Sequence, residues 1–162
     1  MPDRPNPYTY SDTIAYAAEC IIEAGRDALQ QCDLDFPDRA YVAYGQPVHD
    51  CQQFTVSLLQ AYVGTPGDQA VGPQACDGPA SAVFSVQLVR CTPRVDMKTK
   101  RVLSPEEQTE ASLGYYRDAA ALLRIADFMP MQYDRATIAD VSIGEPQGQF
   151  IPIILNLVVG LA

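Results

Sequence analysis

The chain has 162 residues, of which 48% are hydrophobic and 19% are charged, and its formal net charge is −9. This composition excludes intrinsic disorder, which combines low hydrophobicity with high charge. It also argues against general binding to duplex DNA, which favours a net positive protein. The length suits one domain with a core of its own.

The first half of the chain predicts an arm, a helix and two strands. Residues 1–10 contain three prolines and are predicted to form an extended arm. Apolar residues then recur at helical spacing over about residues 12–31, with Ser11 as the N-cap. A short strand at about 40–44 precedes a longer one at about 52–63, whose alternation of apolar and polar residues predicts a half-buried strand.

The second half predicts a strand, a helix and two further strands. A loop rich in glycine and proline at 64–80 leads to an alternating strand at 81–91. A helix over about 105–128 is predicted to start at the N-cap Ser104, with Pro105 at the first helical position and Glu107 completing the capping box. This helix has one apolar stripe, formed by Leu113, Tyr116, Ala120 and Leu123. Strands are predicted at about 136–143 and 149–159.

The order α-β-β-β-α-β-β predicts the fold class and the domain organisation. We expect a single α+β domain over residues 11–162, with one mostly antiparallel sheet packed against two helices. Loops are expected at 64–80 and 92–104. No targeting or membrane-spanning segment is predicted, because the N-terminus has no apolar core and the apolar stretch at 150–162 is too short to span a bilayer. We therefore expect folding in a cytoplasm.

The charge is concentrated in blocks. Residues 1–77 and 102–162 are acidic, whereas residues 78–101 carry a net charge of +4. The basic side chains of this segment are Arg90, Arg94, Lys98, Lys100 and Arg101. The segment is either an ordinary solvated loop or a basic finger that meets phosphates or an acidic partner surface.

Catalytic patterns are weak in this sequence. It contains no GxGxxG, P-loop, HExxH or GxSxG motif. The single histidine, His49, lies two residues from Cys51 on an extended segment, where the two side chains point outward in parallel. A nucleophile and its base must meet, so this spacing does not favour mutual activation. We expect a protein that is not an enzyme and needs no cofactor.

The five cysteines leave three interpretations open. If the strands at 52–63 and 81–91 pair as an antiparallel hairpin, Tyr62 lies opposite Ser81 and Cys51 lies close to Cys91 or Thr92. Neighbouring free thiols are favoured, and a Cys51–Cys91 disulfide is the second interpretation. The third is a zinc site, which lacks a CxxC pair and is not expected. Its weak candidate ligands are His49, Cys51, Cys76 and Cys91.

Three segments of the sequence resemble the tail-terminator (tail-completion) proteins of long-tailed phages, especially those infecting actinobacteria. The first reads AYVAYGQPVHDCQQFTV at 40–56, the second runs from CDGP to FSVQLVRC at 76–91, and the third runs from GEPQG to LNLVV at 144–159. Their order and spacing are more specific than any one of them. With the connecting helix, the resemblance covers most of residues 11–162.

The resemblance implies a structural virion protein. Such proteins form a hexameric ring that ends the tail tube, stops its polymerisation and joins it to the head-completion (stopper) proteins, while genomic DNA passes through without specific binding. An acidic body suits that passage. We expect the basic stretch to contact the tube or the channel. Five polar residues of the paired strands are expected in a subunit interface or lining the lumen: Gln53, Thr55, Ser57, Ser85 and Gln87.

Two other classes remain open at this point. The nearer one is another neck component, such as a head-closure or head-tail adaptor protein, which shares the size, the acidity and the ring assembly. Ring symmetry separates them, because a six-fold ring fits a terminator or a stopper and a twelve-fold ring fits an adaptor. The more distant one is a small metal- or ligand-binding host protein that uses His49, Cys51, Cys76 and Cys91.

Overall fold

In a computed structural model of the chain, the structure describes residues 10–66, 80–91, 101–133 and 135–161. These residues form two α-helices and five β-strands. The elements are α1 (Tyr10–Gln31), β1 (Arg39–Ala43), β2 (Gln53–Val63), β3 (Ala80–Cys91), α2 (Pro105–Leu122), β4 (Thr137–Ile143) and β5 (Phe150–Leu161). Two short 3-10 helices, Ile125–Phe128 and Met131–Tyr133, lie between α2 and β4. The predicted α+β class and the predicted order of elements are confirmed.

The five strands form one mixed sheet in the order β1-β2-β3-β5-β4. β1 pairs in parallel with β2, and all the other neighbours are antiparallel. The apolar strand β5 therefore lies inside the sheet, between β3 and β4, and within the described residues β1 and β4 form its two edges. The largely apolar sequence of β5 suits this interior position, where all of its residues are buried or half-buried.

Both helices pack on the same face of the sheet. α1 contacts β2 and β1, whereas α2 contacts β4, β5 and α1. Small side chains of α1, among them Ala17 and Ala24, let the helix approach the strands closely. The largest fully buried apolar side chains are Ile21, Leu29, Phe54, Phe84, Leu88, Leu122, Ile125, Ile153, Leu155 and Leu157. They form one continuous core between the helices and the sheet.

The register of the β2–β3 hairpin agrees with the prediction. Tyr62 lies opposite Ser81, and a bulge at Leu59 shifts the pairing by one residue between Leu58 and Gln60. Beyond the bulge, Gln53 pairs with Val89, so the next residues outward bring Cys51 beside Cys91. The bulge thereby selects Cys91 over Thr92 as the neighbour of Cys51.

The prediction that the strand at 52–63 is half-buried is wrong for its first half. Every residue from Gln53 to Ser57 is buried, on both faces of the sheet. Alternation of apolar and polar residues predicts that the polar face of a strand is exposed to solvent only when no other part of the chain covers that face. The apolar residues face the helices, and the polar ones are enclosed on the opposite side.

The apolar stripe of the second helix faces away from the core. Its members Leu113, Tyr116, Ala120 and Leu123 are all exposed, and the helix is buried through Tyr115, Asp118, Ala121 and Leu122. The helix also ends at Leu122, six residues before the predicted end, because the chain turns into the 3-10 helix at Ile125–Phe128. The capping box that starts α2 is confirmed.

Three of the expected segments fall largely outside the described residues. These are the arm at 1–10, the loop at 64–80 and the basic loop at 92–104. α1 begins at Tyr10, so Ser11 lies inside the helix and is not its N-cap. Among the described helices, none combines the length and the apolar character that a membrane crossing requires.

Candidate functional site

The loop between β1 and β2, residues 44–52, crosses the face of the sheet opposite the helices. Because β1 and β2 are parallel neighbours, the chain must return from the end of β1 to the start of β2 across one face of the sheet. The helices occupy the other face. Gln53 anchors the loop, since its Nε2 donates a hydrogen bond to the carbonyl oxygen of Val48 at 2.9 Å. Arg39 and Asp50 add an exposed ion pair at 3.6 Å.

His49 connects this loop to two distant parts of the chain. Its Nε2 lies 3.1 Å from Oε1 of Gln87 on β3, and its Nδ1 lies 3.1 Å from Oε1 of Gln147 in the β4–β5 loop. Both partners are amide oxygens, which accept hydrogen bonds, so a protonated imidazole ring donates to both and a neutral one to a single partner. Gln87 in turn donates from Nε2 to Oγ of Ser85 at 3.4 Å. The result is a polar chain that joins three segments.

Cys51 and Cys91 form a disulfide, with their Cα atoms 5.3 Å apart. The predicted neighbourhood is confirmed, but the structure has the bonded pair where the sequence favoured free thiols. The bond ties the start of β2 to the end of β3, directly beside His49. Cys20 and Cys32 are free thiols.

The disulfide removes two of the candidate zinc ligands. A sulfur in a disulfide is not a thiolate and does not bind zinc in that form. Across the ranges that the structure describes, no group of three or more His, Cys, Asp or Glu side chains could hold a metal ion. The remaining candidates are His49, whose ring nitrogens face two glutamine amides, and Cys76, which lies outside the described residues.

The five polar residues expected in an interface or a lumen lie side by side on the face of the sheet opposite the helices, the non-helical face. Gln53, Thr55, Ser57, Ser85 and Gln87 are each at most 4% exposed. They are enclosed within the chain, so in this conformation their side chains offer no surface to a neighbouring subunit. Among the residues that the structure describes, Oε1 of Gln53 and Oγ1 of Thr55 find no hydrogen-bond partner. Such a buried, unsatisfied polar atom costs about 1–3 kcal/mol.

The structure places two of the five basic candidates. Arg90 donates hydrogen bonds to both carboxylate oxygens of Asp118, at 3.0 and 2.8 Å, and to the carbonyl of Asp35 at 2.7 Å. Its side chain is only 13% exposed, so it serves the fold and not a partner. The other three candidates, Arg94, Lys98 and Lys100, lie outside the described residues.

Arg101 is exposed and holds the start of α2. Its Nη2 lies 3.0 Å from Oε1 of Glu107, the residue that completes the capping box with Ser104. The hydrogen bonds from Arg101 and from the Ser104 backbone lower the pKa of the Glu107 carboxyl. Arg101 therefore remains accessible to a partner while it stabilises the helix N-terminus.

Sequence reasoning missed Gln147 and Asp118, which are essential to these contacts. Gln147 meets His49 across 98 residues of sequence, and Asp118 meets Arg90 across 28. Neither separation has a local pattern. The one available signal for Gln147 was the Gly144–Gly148 turn, which marks a tight connection but not what it touches.

A scan against protein-family models matches none, and a search of curated proteins finds no match. The fold and the site define an α+β domain with a five-stranded mixed sheet and a disulfide-anchored loop on its non-helical face.

Proposed function

We propose that the chain is a tail-terminator-like ring protein of a long-tailed phage. It assembles in the host cytoplasm, ends the tail tube at the virion neck and joins it to the head-completion proteins. The observation that carries the proposal is the convergence of the three resembling segments at one place in the fold. Segments at 40–56, 76–91 and 144–159 meet through His49, Gln87 and Gln147.

The convergence supports the proposal because it is not a consequence of sequence proximity. His49 lies 38 residues from Gln87 and 98 from Gln147. The Cys51–Cys91 disulfide joins the first two segments a second time. If each segment acted alone, the three would not have to lie together in the fold. Segments that build one surface must lie together. The resemblance thus corresponds to a single structural unit.

The loop at residues 44–52, called here the anchored loop, exposes apolar side chains to solvent. Tyr44 is 99% exposed and Val48 is 81% exposed, although the loop is held from beneath by His49, Gln53 and the disulfide. A rigid loop binds at a lower entropic cost than a mobile one. Aromatic residues are enriched in protein interfaces. We assign this loop to contact with the tail tube or the neighbouring ring subunit.

The sheet offers two further contact surfaces on opposite sides of the domain. Within the described residues, β1 and β4 are its edge strands. When two different surfaces on opposite sides of a subunit are complementary, neighbouring subunits associate head to tail. The assembly closes into a ring when the rotation between neighbouring subunits allows closure. The net charge of −9 disfavours binding to the phosphates of DNA, so DNA can pass through the ring without being bound.

Electron microscopy of the purified protein, alone and mixed with tail tubes, tests this proposal. We expect rings of six-fold symmetry at tube ends. Substituting Tyr44→Ser together with Val48→Ser should reduce the fraction of terminated tubes, because the substitution removes the apolar contacts of the anchored loop. Met131→Ser is the matched control, since Met131 is 93% exposed but lies in a different part of the chain.

Each alternative has its own signature in the same experiment. Twelve-fold rings would instead identify a head-tail adaptor. Particles without any ring, with tube ends that stay bare at every protein concentration, would contradict the proposal. A loss of termination in the Met131→Ser control would show that the readout reports general surface damage and not the loop.

A further inference from the structure

The outer face of α2 has the composition of a buried face. Leu113, Tyr116 and Leu123 are 45%, 58% and 54% exposed, and Ala120 lies among them. Residues three and four apart share one side of a helix, so these four form a continuous stripe. The opposite side of the helix already supplies its contacts with the core. The stripe therefore lacks a partner within the described part of the chain.

The charges beside the stripe are separated along the helix. Glu106 and Glu110 lie in its N-terminal half, whereas Arg117 lies in its C-terminal half and Arg124 just beyond its end. All four are exposed. Arg124 has a loose, exposed ion pair with Asp127 at 3.7 Å, which is worth little and exchanges readily.

This charge order is self-complementary in one orientation only. In an antiparallel pair of α2 helices, Glu110 meets Arg117 of the second copy and Glu106 meets Arg124 of the second copy. Leu113 then lies against Tyr116 of the second copy. The midpoints of the three pairings fall between residues 113 and 115, within two residues of one another, so one two-fold axis near residue 114 brings all three pairs close together. A parallel pair would set glutamate against glutamate and arginine against arginine.

The shape of the helix surface agrees with such a contact. Two shallow depressions, of about 390 and 490 Å³, flank Leu113 on its two sides. One is lined in part by Glu110 and Arg117, and the other in part by Ser112 and Tyr116. Leu113 is therefore a ridge between two hollows, the form that interlocks with a second helix of the same kind.

We propose that α2 is a self-association surface, at which two copies of the chain pair through antiparallel α2 helices. The contact is isologous: it joins two copies and stops there. A ring needs a head-to-tail contact, so the α2 pair is a separate interface and does not depend on the proposed function. It buries the apolar stripe in the free protein.

Charge reversal of the full-length chain tests the orientation. One variant carries Glu106→Lys with Glu110→Lys, and the other carries Arg117→Glu with Arg124→Glu. Sedimentation equilibrium should find wild-type dimers and dimerisation weakened about tenfold or more in each variant, because every cross-pair becomes repulsive. An equimolar mixture of the two variants should recover dimers, since each half of one helix then meets the opposite charge of the other.

The recovery in the mixture separates pairing from damage to the fold, because neither variant can repair the other unless the helices meet. Glu23→Lys on α1 is the matched control, since Glu23 is also an exposed helical glutamate. Wild-type protein that stays monomeric, or a mixture that stays monomeric, overturns the proposal. Six-fold rings that form equally well in both variants, without any dimer, overturn it too while leaving the ring proposal intact.

Discussion

At the scale of single residues, the Arg90 guanidinium joins three parts of the fold. It sits at the end of β3, donates to both oxygens of Asp118 on α2, and also donates to the Asp35 carbonyl after α1. The two charged side chains are 13% and 8% exposed. A buried ion pair gains little over an apolar pair, but it is costly to break, since the remaining charge stays desolvated.

Asp118→Ala should therefore destabilise the protein strongly. We expect a loss of roughly 3–5 kcal/mol in the free energy of unfolding, because the substitution leaves Arg90 enclosed without its counter-charge. Urea denaturation measures this loss. Asp127→Ala is the control, since the Arg124–Asp127 pair is exposed and should cost less than about 1 kcal/mol. Equal effects of the two substitutions would refute the structural role of Arg90.

At the scale of elements, α1 approaches β2 closely through Gly25. A Cβ atom added at Gly25 would overlap the ring of Phe54, which is fully buried. Phe54 also packs against Phe36, with 4.9 Å between ring centroids, so it has little freedom to move aside. The glycine is thus required by packing, despite the cost of glycine inside a helix.

Two glycine-to-alanine substitutions should have opposite effects. Gly25→Ala should lower the free energy of unfolding by about 1–3 kcal/mol, because the methyl group overpacks the core. Gly114 lies inside α2, and an added Cβ would meet nothing within 4 Å. Gly114→Ala should therefore raise stability by about 0.5–1 kcal/mol through helix propensity alone. Thermal unfolding of the two variants checks the signs, and a shared sign would contradict the packing argument.

α2 also shows how periodicity can identify a helix and miss its buried side. The spacing of Leu113, Tyr116, Ala120 and Leu123 predicted a helix correctly, and the capping box at Ser104 located its start. The buried side is instead set by Tyr115, Leu122 and the Arg90–Asp118 pair. An amphipathic pattern cannot distinguish a face that meets the core from one that meets another protein.

At the scale of the whole molecule, the disulfide acts mainly on the unfolded chain. Cys51 and Cys91 are 40 residues apart, so closing that loop restricts the unfolded ensemble. Loop entropy gives a stabilisation of about 4 kcal/mol for this length, as an upper value. The same bond holds the 44–52 loop in place on the sheet, so it connects stability with the surface that we assign to partners.

Removing the disulfide should lower stability without changing the fold class. The double substitution Cys51→Ser and Cys91→Ser should cost about 2–4 kcal/mol in urea denaturation under non-reducing conditions, and Cys32→Ser, an exposed free thiol, should cost little. Thiol titration of the denatured wild type should find two more thiols after reduction than before. Five free thiols before reduction would refute the disulfide.

The sequence by itself determined the fold class, the order of the elements, the start of α2 and the pairing of β2 with β3. These features depend on local patterns: period-2 and helical spacing, turn residues and a capping box. The position of Cys51 beside Cys91 followed from counting residues outward from the hairpin, although the Leu59 bulge had to select the final partner.

Only the tertiary structure decided which surfaces are inside. It enclosed the polar side chains of Gln53 and Gln87, turned the apolar stripe of α2 outward and paired Arg90 with Asp118. It also brought His49 to Gln147, 98 residues away. The physical reason is that the burial of a face depends on which distant parts of the chain cover it. The local sequence around a residue carries no information about those distant parts.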